Sequence, residues 1–526
     1  MSPQTQKLHK HWFVAALLLL AMLTVYTTEA LPTYACGLGV DDDDCIDAAM
    51  HPDLRPGSMS NRAQGNSERK IEYWLEQGKE FVSKQANAKR NTGKAKNIIL
   101  FLGDGMGLTT FTAARQLLGG EEQKLSFEKF PYTGFSKTYS VNTMVPDSAC
   151  TSTAYLCGVK ANHGTIGVNG HVERSDCEGM VNTTNHVHSI AKWALDAGKS
   201  AGLVTTTRVT HASPAGVYAH VADREWENDA ELAADCGEES LLQDIALQLM
   251  KGVVGKQLKV ILGGGKREFI DSTLYTKGKR KDGRNLIEEY QQQSARNAYV
   301  ETLEELQNLD VKSHDRLLGL FHRTHLDYNL EAEETQPSLK EMTVRAIEML
   351  QKDDNGFFLF VEGGRIDTAH HYNMAEYALD ETVELSKAIE AAREMTSEDD
   401  TLIVVTADHS HTFSISGYQD RGSNIFDVTP NLATDDRSYL ALSYANGPGF
   451  EDYYNTAKYK RRHPEKVDSD TYPSTVPLES ASHGGEDVAV FASGPWAHLF
   501  TGVYEQNTIP HLMAYAACVG EGLKAC

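Results

Sequence analysis

The chain has 526 residues, of which 41% are hydrophobic and 23% are charged, a balance that excludes disorder, collagen and coiled coil for most of its length. With 50 Lys and Arg against 73 Asp and Glu, its formal net charge is −23. So acidic a surface repels nucleic acid and anionic lipid, and we expect neither as a partner. It leaves room for a small anionic substrate, because a bound metal or an arginine can reverse the local field.

The amino terminus predicts export from the cell. Two lysines precede an apolar run from Trp12 to Tyr26, and Thr28-Glu29-Ala30 follows as a candidate cleavage site. A basic start, a short apolar core and a small exit residue are typical of a secretory signal peptide, which we place at residues 1–30. The run is short for a membrane span, so an uncleaved signal anchor at the extracellular face is the alternative.

Eight cysteines are compatible with an oxidising compartment, although the sequence alone leaves their pairing open. The sequon Asn182-Thr183-Thr184 predicts glycosylation of an exported chain. The sequence stops at Cys526 without a hydrophobic tail and so carries no lipid-anchor signal.

Three segments stand apart in composition. Residues 31–66 are polar and predict a solvated segment. Residues 67–86 place apolar side chains at helical spacing and predict an amphipathic helix that packs on this subunit or on another. Residues from about 417 to 480 are rich in Gly, Pro, Tyr and Ser and predict a small inserted subdomain of loops and strands.

Between residues 97 and 495, short apolar runs alternate with helical stretches. The six runs are Ile98–Leu102, Ala201–Val204, Val260–Leu262, Phe357–Val361, Leu402–Val405 and Val488–Phe491. Such a pattern predicts an α/β fold, with a large, mostly parallel central sheet flanked by helices on both faces. In these sheets ligands bind beyond the carboxyl ends of the strands.

Acidic and histidine side chains recur beside five of these runs. Each cluster alone has a simpler explanation, a polar loop, but five together favour one shared site. Seven carboxylates and imidazoles would crowd there and repel one another unless cations neutralise them. Mixed nitrogen and oxygen donors suit zinc, and an oxygen subset suits magnesium, which predicts a binuclear or trinuclear hydrolytic centre. The seven are Asp104, Glu362, Asp367, His371, Asp408, His409 and His483.

Ser148 is the candidate nucleophile. It lies in Pro146-Asp147-Ser148-Ala149, followed by small residues that favour a helix, so its hydroxyl is expected at a helix N-terminus that attracts a phosphoryl group. No Gly-x-Ser-x-Gly motif surrounds it, which argues against a hydrolase triad; a metal ion could activate the hydroxyl instead. A simple helix cap is the alternative.

At this point the sequence resembles the animal alkaline phosphatases, which are secreted or surface phosphomonoesterases. The resemblance covers residues 67–526 as one catalytic domain. The motifs that carry it are Phe101–Gly107, Pro146–Ala149, Val361–Asp367, Thr406–His411 and His483–Val488, where Gly484 replaces the family's Ala.

The resemblance implies the following roles. Ser148 forms a phosphoserine, and Arg224 clamps the phosphate. Two zinc ions and one magnesium ion are expected. Asp367, His371 and His483 bind one zinc, Asp408, His409 and Asp104 the second, and Asp104, Ser213 and Glu362 the magnesium. Asp147 and His211 are expected beside these ligands. An alkaline pH optimum follows because the attacking groups act deprotonated.

The resemblance also implies a homodimer, with contacts from the helix at 67–86 and from the region of Tyr418. It implies disulfides Cys177–Cys236 and Cys518–Cys526, with Cys157 unpaired. A pairing of Cys36 with Cys45 is a separate prediction outside the matched region. We expect the thiol of Cys150, two residues after the nucleophile, to be inert core.

Some positions depart from the family pattern. Thr368 replaces a common His that reaches the phosphate through water, and Tyr372 replaces a common Glu. His322 and Gln336 stand where the vertebrate members' calcium site has acids, which argues against that fourth metal.

The sequence leaves two alternatives to a phosphomonoesterase. A sulfatase or phosphodiesterase of the same architecture is the first, but Ser148 lacks the Cys-x-Pro-x-Arg context of a sulfatase nucleophile. A catalytically weakened secreted or surface binding protein of the same fold is the second, supported only by Thr368.

Overall fold

The six apolar runs form the contiguous centre of one ten-stranded sheet in the computed structural model, which describes residues 67–433, 438–450 and 471–526. The strands, in order across the sheet, are β15 (Gly502–Glu505), β2 (Tyr132–Lys137), β14 (Val488–Ser493), β8 (Thr401–Ala407), β1 (Asn97–Gly103), β7 (Phe357–Gly363), β3 (Ser200–Arg208), β4 (Val260–Gly264), β6 (Arg316–Leu320) and β5 (Asn297–Val300). Nine of them are parallel, and β14 runs against its neighbours β8 and β2. The predicted fold class is therefore confirmed.

Helices cover both faces of this sheet. The helices of the described residues, of which α1 has no buried residue, are α1 (Ile71–Ala86), α2 (Leu108–Ala114), α3 (Ser148–Ser152), α4 (Cys177–Val181), α5 (Ile190–Asp196), α6 (Ala212–Ala215), α7 (Asp229–Cys236), α8 (Ile245–Lys251), α9 (Leu286–Gln292), α10 (Leu303–Asn308), α11 (Leu339–Leu350), α12 (Arg365–His371), α13 (Ala375–Met395) and α14 (Ile509–Ala517). Along β1, Ile98 and Leu100 join the hydrophobic core of one face, and Ile99 and Phe101 join that of the other. Because successive side chains of a strand point to opposite faces, a strand with two cores must be apolar throughout.

The inserted segment forms small sheets beside the main one. Strands β10 (Phe413–Ile415), β11 (Leu442–Gly447) and β12 (Ser474–Pro477) make a three-stranded sheet, and β9 (Ser410–His411) pairs with β13 (His483–Gly484). The loop and strand subdomain is therefore present. Its proposed limits, 417 and 480, lie within the segment that β9 and β13 enclose.

The termini of the matched region carry the other predicted features. Helix α1 forms as predicted, with none of its residues buried. Disulfides Cys177–Cys236 and Cys518–Cys526 are present, and Cys150 and Cys157 are free and buried. Burial raises the pKa of the Cys150 thiol well above its usual value, as expected of inert core. The predicted signal peptide, the segment 31–66 and the Cys36–Cys45 pairing lie outside the described residues. In the described part, no helix combines the length and apolar character that a membrane crossing needs.

The centre of the sheet supports the nucleophile segment directly. Phe360 on β7 is fully buried, and its ring stacks at 6.3 Å on Tyr155, in the turn that follows α3.

For Phe360→Ala we expect the free energy of unfolding to fall by about 3–5 kcal/mol, because the truncation removes buried apolar surface and leaves a cavity. This loss of stability is measured as a fall in the melting temperature. Leu274→Ala at the surface is the control, expected to cost less than about 0.5 kcal/mol, and equal effects of the two changes would contradict this account.

Candidate active site

The register of three central strands places three carboxylates at one edge of the sheet. Gly103, the last residue of β1, pairs with Gly363 of β7 and with Ala407 of β8. Asp104 and Asp408 follow their strands by one residue, and Glu362 is the last residue but one of β7. All three are completely buried. The carboxyl edge of the sheet therefore gathers acids far apart in sequence.

The antiparallel direction of β14 brings His483 to the same edge. Because β14 starts where its parallel neighbours end, the residues that precede it lie beside Asp408. The β9–β13 pair then sets His483 opposite His411, and the Nδ1 of His483 lies 2.8 Å from the carbonyl oxygen of Pro146.

Gly105 makes the close packing of the site feasible. Its φ is +67°, in the left-handed region, and its N–H donates to Asp408 Oδ1 at 2.9 Å. A Cβ at this position would lie 2.8 Å from Cδ2 of His411 and 3.1 Å from Oδ1 of Asp367. Only glycine lets the β1 turn pass between these two side chains.

Ser148 begins helix α3, as predicted. Asp147 caps that helix by accepting a hydrogen bond from the N–H of Cys150 at 3.3 Å. The Oγ of Ser148 lies 3.4 Å from Asp104 Oδ1 and 3.2 Å from His409 Nε2. The hydroxyl therefore faces the ligand candidates from a helix N-terminus.

Arg224 is held beside the nucleophile by Asp147. One guanidinium nitrogen donates to Asp147 Oδ2 at 3.0 Å, and another lies 3.1 Å from Nε2 of His211. Burial alone would raise the pKa of Asp147, but the charge of Arg224 holds that pKa well below its usual range. Asp147 is therefore ionised, and it holds the positively charged guanidinium of Arg224 beside the segment that carries Ser148.

The expected metal ligands form overlapping clusters. Three groups of side chains bring possible ligand atoms within 4.8 Å of one another. The groups are Asp367, His371, His411 and His483; Asp104, His211 and Glu362; and Asp104, Asp367 and His409. Asp408 joins through its Oδ2, 3.1 Å from His409 Nε2, and Ser213 donates to Asp104 Oδ2 at 3.4 Å. Every predicted ligand therefore reaches this crevice.

The carboxylates of the crevice fit cations. Burial, followed by the charges of neighbouring acids, raises the pKa of Asp104 well above its usual value, and burial raises those of Glu362 and Asp408 to about 7. Oε2 of Glu362 accepts hydrogen bonds from Thr205 and Thr207, but its buried Oε1 has no hydrogen-bond partner among the residues that the structure describes. An unpaired buried carboxylate oxygen is costly, and a metal ion would satisfy it.

Three imidazoles of the crevice are held neutral, which is the state that a metal ligand needs. Burial lowers the pKa values of His409 and His411, and lowers that of His483 to about 3. Burial also acts on His371, but its contact with Asp367 raises the pKa overall. Three of these rings are therefore neutral at neutral pH and can offer a lone pair to a metal.

Two residues require separate comment. Thr368 lies beside Asp367 on α12 and is half-buried; in the described part of the chain its hydroxyl makes no hydrogen bond to the other site residues. His411 was quoted in a motif but not predicted as a site residue. Its Nε2 lies 2.5 Å from Asp367 Oδ1. The available signal in the sequence is its place two residues after His409. The β9–β13 pairing that turns its side chain inward joins segments distant in sequence, so no local pattern predicts it.

Gln336, where the calcium site of vertebrate members has an acid, is engaged locally. Its amide accepts from the N–H of Asp327 at 2.9 Å and donates to the carbonyl oxygen of the same residue at 3.1 Å. Both ends of this side chain thus brace the 327–336 loop.

Comparison with known proteins identifies the family of the chain. The family model described as "Alkaline phosphatase" matches residues 95–519. The chain belongs to the alkaline phosphatase family. This confirms the family and the enzyme class expected from the sequence.

Relatives cover nearly the whole chain. A membrane-bound alkaline phosphatase of Bombyx mori is 46% identical over 90% of this chain and 90% of its own length. The tissue-nonspecific isozyme of Homo sapiens is 46% identical over 89% and 92%, and the alkaline phosphatase of Gadus morhua 47% identical over 85% and 97%.

Solved alkaline phosphatases share the fold. The enzyme from Thermus thermophilus has a TM-score of 0.60 at 23% identity and covers 84% of this chain and 96% of its own. The enzyme from the Antarctic bacterium TAB5 has a TM-score of 0.58 at 24% identity, with coverage of 81% and 100%.

The raised pKa values predict how metal-depleted protein responds to pH. Glu362 and Asp408 keep their protons up to about pH 7 when folded but lose them near pH 4 when unfolded, so the folded state binds more protons in between. Without metal, these two carboxyl groups should contribute a fall in the free energy of unfolding as pH rises through this window, whereas the buried neutral histidines contribute a rise up to about pH 6.5. Melting curves in EDTA at about pH 5 and about pH 8 measure the effect.

Glu362→Gln removes one of the titrating groups and should shrink this fall. Zinc with magnesium should abolish it, because cations stabilise the ionised carboxylates. A metal-depleted Glu362→Gln variant whose melting temperature changes with pH in the same way as that of the wild type would contradict the account.

Proposed function

We propose that the protein hydrolyses phosphate monoesters to an alcohol and inorganic phosphate, with Ser148 as nucleophile. The observation that carries this proposal is the arrangement around its hydroxyl. Candidate ligands lie on one side, at 3.2 and 3.4 Å, and Arg224 is anchored on the adjoining Asp147. A nucleophile between cations and a guanidinium is what transfer of a phosphoryl group requires.

The donor chemistry supports two zinc ions and one magnesium ion. Asp367, His371 and His483 would hold one zinc, with His411 beside them, and Asp104, Asp408 and His409 would hold the second. The oxygen donors Asp104, Ser213 and Glu362 would hold magnesium. When bound, these cations neutralise phosphoryl oxygens and lower the pKa of a coordinated hydroxyl group.

The residues of the chain then perform two displacements. The Oγ of Ser148 loses its proton and attacks phosphorus, the phosphorus–oxygen bond to the alcohol breaks, and the alcohol leaves with a proton. Water next attacks the phosphoserine, phosphate departs, and the Ser148 oxygen regains a proton. Arg224 donates to two phosphate oxygens throughout, which a lysine could not match. Two in-line steps would retain configuration at phosphorus.

Thr368 is proposed to adjust how phosphate is held. Its position next to Asp367 supports a place near the substrate, and its side chain is shorter than the histidine common in the family. A threonine hydroxyl offers one short donor where an imidazole reaches farther.

The decisive test is hydrolysis of p-nitrophenyl phosphate between about pH 7 and about pH 10. We expect alkaline activity that EDTA removes and zinc with magnesium restores. Ser148→Ala should lower kcat by about a thousandfold or more, because the nucleophile is lost, while metal content and melting temperature stay close to those of the wild type. Absent activity in metal-loaded wild type would favour the binding-protein reading, and an active Ser148→Ala variant would exclude Ser148 as nucleophile.

We infer export to an oxidising compartment. One disulfide joins Cys177 to Cys236 at the surface of the domain, and the other joins Cys518 to Cys526 at its carboxyl end. Asn182 of the sequon is exposed, and its side chain accepts from the hydroxyl of Thr184 at 2.8 Å. An exposed sequon and disulfides fit a secreted or surface-attached glycoprotein.

A homodimer through α1 is supported by the apolar face of that helix. Ile71, Trp74, Leu75, Phe81 and Val82 recur at helical spacing, and each is more than half exposed. Large apolar patches on a soluble protein mark interaction surfaces.

The region of Tyr418 lies close to this helix. Arg421 forms an ion pair with Glu68, just before α1, and Tyr418 is 59% exposed. The two expected contact segments are therefore neighbours, which supports one continuous dimer surface.

Leu75→Glu combined with Phe81→Glu should convert the dimer to a monomer, because two charges would be buried against apolar surface. Light scattering coupled to size exclusion measures the mass. Glu80→Gln on the opposite face of α1 is the matched control and should leave the mass unchanged. A double variant that stays dimeric would place the interface elsewhere.

A further inference from the structure

Arg224, the proposed phosphate ligand, lies on a loop rather than on a helix or a strand. The loop runs from α6 to α7, and its backbone is tied to the segment 164–166. Val221 pairs with Ile166, and the N–H of Arg224 donates to the carbonyl oxygen of Gly164 at 2.9 Å. A guanidinium on a loop is directed only as well as the contacts that hold the loop allow. The residues behind Arg224 therefore matter for phosphate binding.

Asp223, the residue before Arg224, is buried, and its carboxylate accepts hydrogen bonds from three residues. Nε and a terminal nitrogen of Arg174 donate to Oδ2 at 2.8 Å and to Oδ1 at 3.2 Å. The hydroxyl of Ser175 donates to Oδ2 at 2.7 Å, and the N–H of Glu225 donates to Oδ1 at 3.0 Å. Burial alone would raise the pKa of Asp223, but these hydrogen bonds, that of Arg174 foremost, lower it overall. Asp223 is therefore an ionised carboxylate in a two-point contact with Arg174.

Ser175 has a strained backbone conformation where it contacts this loop. Its φ is +60°, in the left-handed region that a serine rarely occupies. In that conformation its N–H donates to the carbonyl oxygen of Ala222 at 3.0 Å while its hydroxyl donates to Asp223. A glycine would adopt the same φ without strain but would lack the hydroxyl. Strain of this kind is common at functional sites, and here it accompanies two hydrogen bonds to the residues just before Arg224.

Gly164 connects Arg174 with the anchor of Arg224. Besides accepting from the N–H of Arg224, it donates its own N–H at 2.9 Å to Asp147, the carboxylate that also holds the guanidinium. Its φ is +83°, and a Cβ at this position would lie 2.6 Å from Cδ of Arg174. The absence of a side chain therefore lets Arg174 pack directly against this turn. Arg174 thus supports the backbone of Arg224 from two directions, through Asp223 and through Gly164.

We propose that Arg174 is a positioning residue for phosphate binding, which fixes through Asp223 the direction in which Arg224 presents its guanidinium. The proposal rests on the phosphomonoesterase function above and gives Arg174 no contact with the substrate. The side chain of Arg174 is 45% exposed, so solvent screens its charge, and the geometry of its two-point contact carries the effect. Because Arg224 would hold phosphate in the substrate, the transition state and the product alike, displacing it should weaken phosphate binding as well as slow turnover.

Arg174→Gln in the metal-loaded enzyme should raise both the KM of p-nitrophenyl phosphate and the inhibition constant of inorganic phosphate, and should lower kcat/KM by about tenfold. Arg174→Lys keeps the charge but cannot make the two-point contact, so it should recover only part of the loss. Arg296→Gln is the matched control, because Arg296 contacts Asp315 in the same way, at 2.8 and 2.7 Å, and its side chain is 52% exposed. This control should change none of the three values.

A double-mutant cycle distinguishes positioning from a general loss of structure. If Arg174 acts through Arg224, Arg174→Gln should change kcat/KM by less than about twofold in a protein that already carries Arg224→Ala. A purely structural role would reduce the activity of the Arg224→Ala enzyme by the same factor as that of the wild type. Equal factors in the two backgrounds would overturn the proposal.

Two replacements of Ser175 test the strained residue. Ser175→Gly and Ser175→Ala both remove the hydroxyl that donates to Asp223, so both should raise the inhibition constant of inorganic phosphate. Ser175→Gly should nevertheless melt at a higher temperature than Ser175→Ala, because glycine adopts a positive φ without strain. If both variants bind phosphate as the wild type does, the Ser175 hydroxyl has no part in placing Arg224.

The outcomes separate this inference from the function on which it rests. If the metal-loaded wild type hydrolyses no phosphate monoester, the proposed function is wrong. If the wild type is active and Arg174→Gln has the same kcat/KM and phosphate inhibition as Arg296→Gln, only the role of Arg174 is wrong. Should Arg174→Gln fail to fold, Arg174→Lys and the two Ser175 variants decide the question, because each leaves the other contacts of Asp223 in place.

Discussion

Buried negative charge at the carboxyl edge of the sheet is the constraint on which this structure depends. Asp104, Glu362 and Asp408 are completely buried and fixed at one edge of the sheet by the pairing of β1 with β7 and β8. They cannot separate, because the strands that carry them are hydrogen-bonded to each other along their length. Protons or cations must therefore neutralise them. In this fold, metal binding and the integrity of the most buried region are the same requirement.

The order of strands also sets where each candidate metal ligand lies along this edge. Passing across the sheet from β14 to β3, the side chains at the edge change from the imidazole of His483, through Asp408 and Asp104, to Glu362 and the hydroxyl of Ser213 beyond β3. The imidazoles of His371, on α12 after β7, and of His211, after β3, lie among these groups, so nitrogen and oxygen donors alternate along the edge. One crevice can in this way offer two different coordination chemistries, and Asp104 lies where they meet.

The sequence predicted the centre of the fold better than its margins. Strands such as β1 are buried on both faces, so their runs are apolar throughout, whereas the edge strands β15 and β5 alternate or are exposed and carry a weaker signal. The ligands directly after strands could be identified for the same reason. The contribution of His411 could not, because the β9–β13 pairing that orients it depends on the direction of β14. Arg224 was found only through resemblance, since nothing local to it announces its bond to Asp147.

The β9–β13 pair has one more consequence. It joins the two ends of the inserted segment at the crevice, and in between the described part of the segment packs into the core through Phe413, Leu442 and Tyr444. The segment between them is a closed excursion, and the entropy of closing such a loop grows only slowly with its length. Insertions and deletions there would leave the ligands in register. The length of the loops in this segment and the positions of the ligand candidates at its two ends are thus independent of each other.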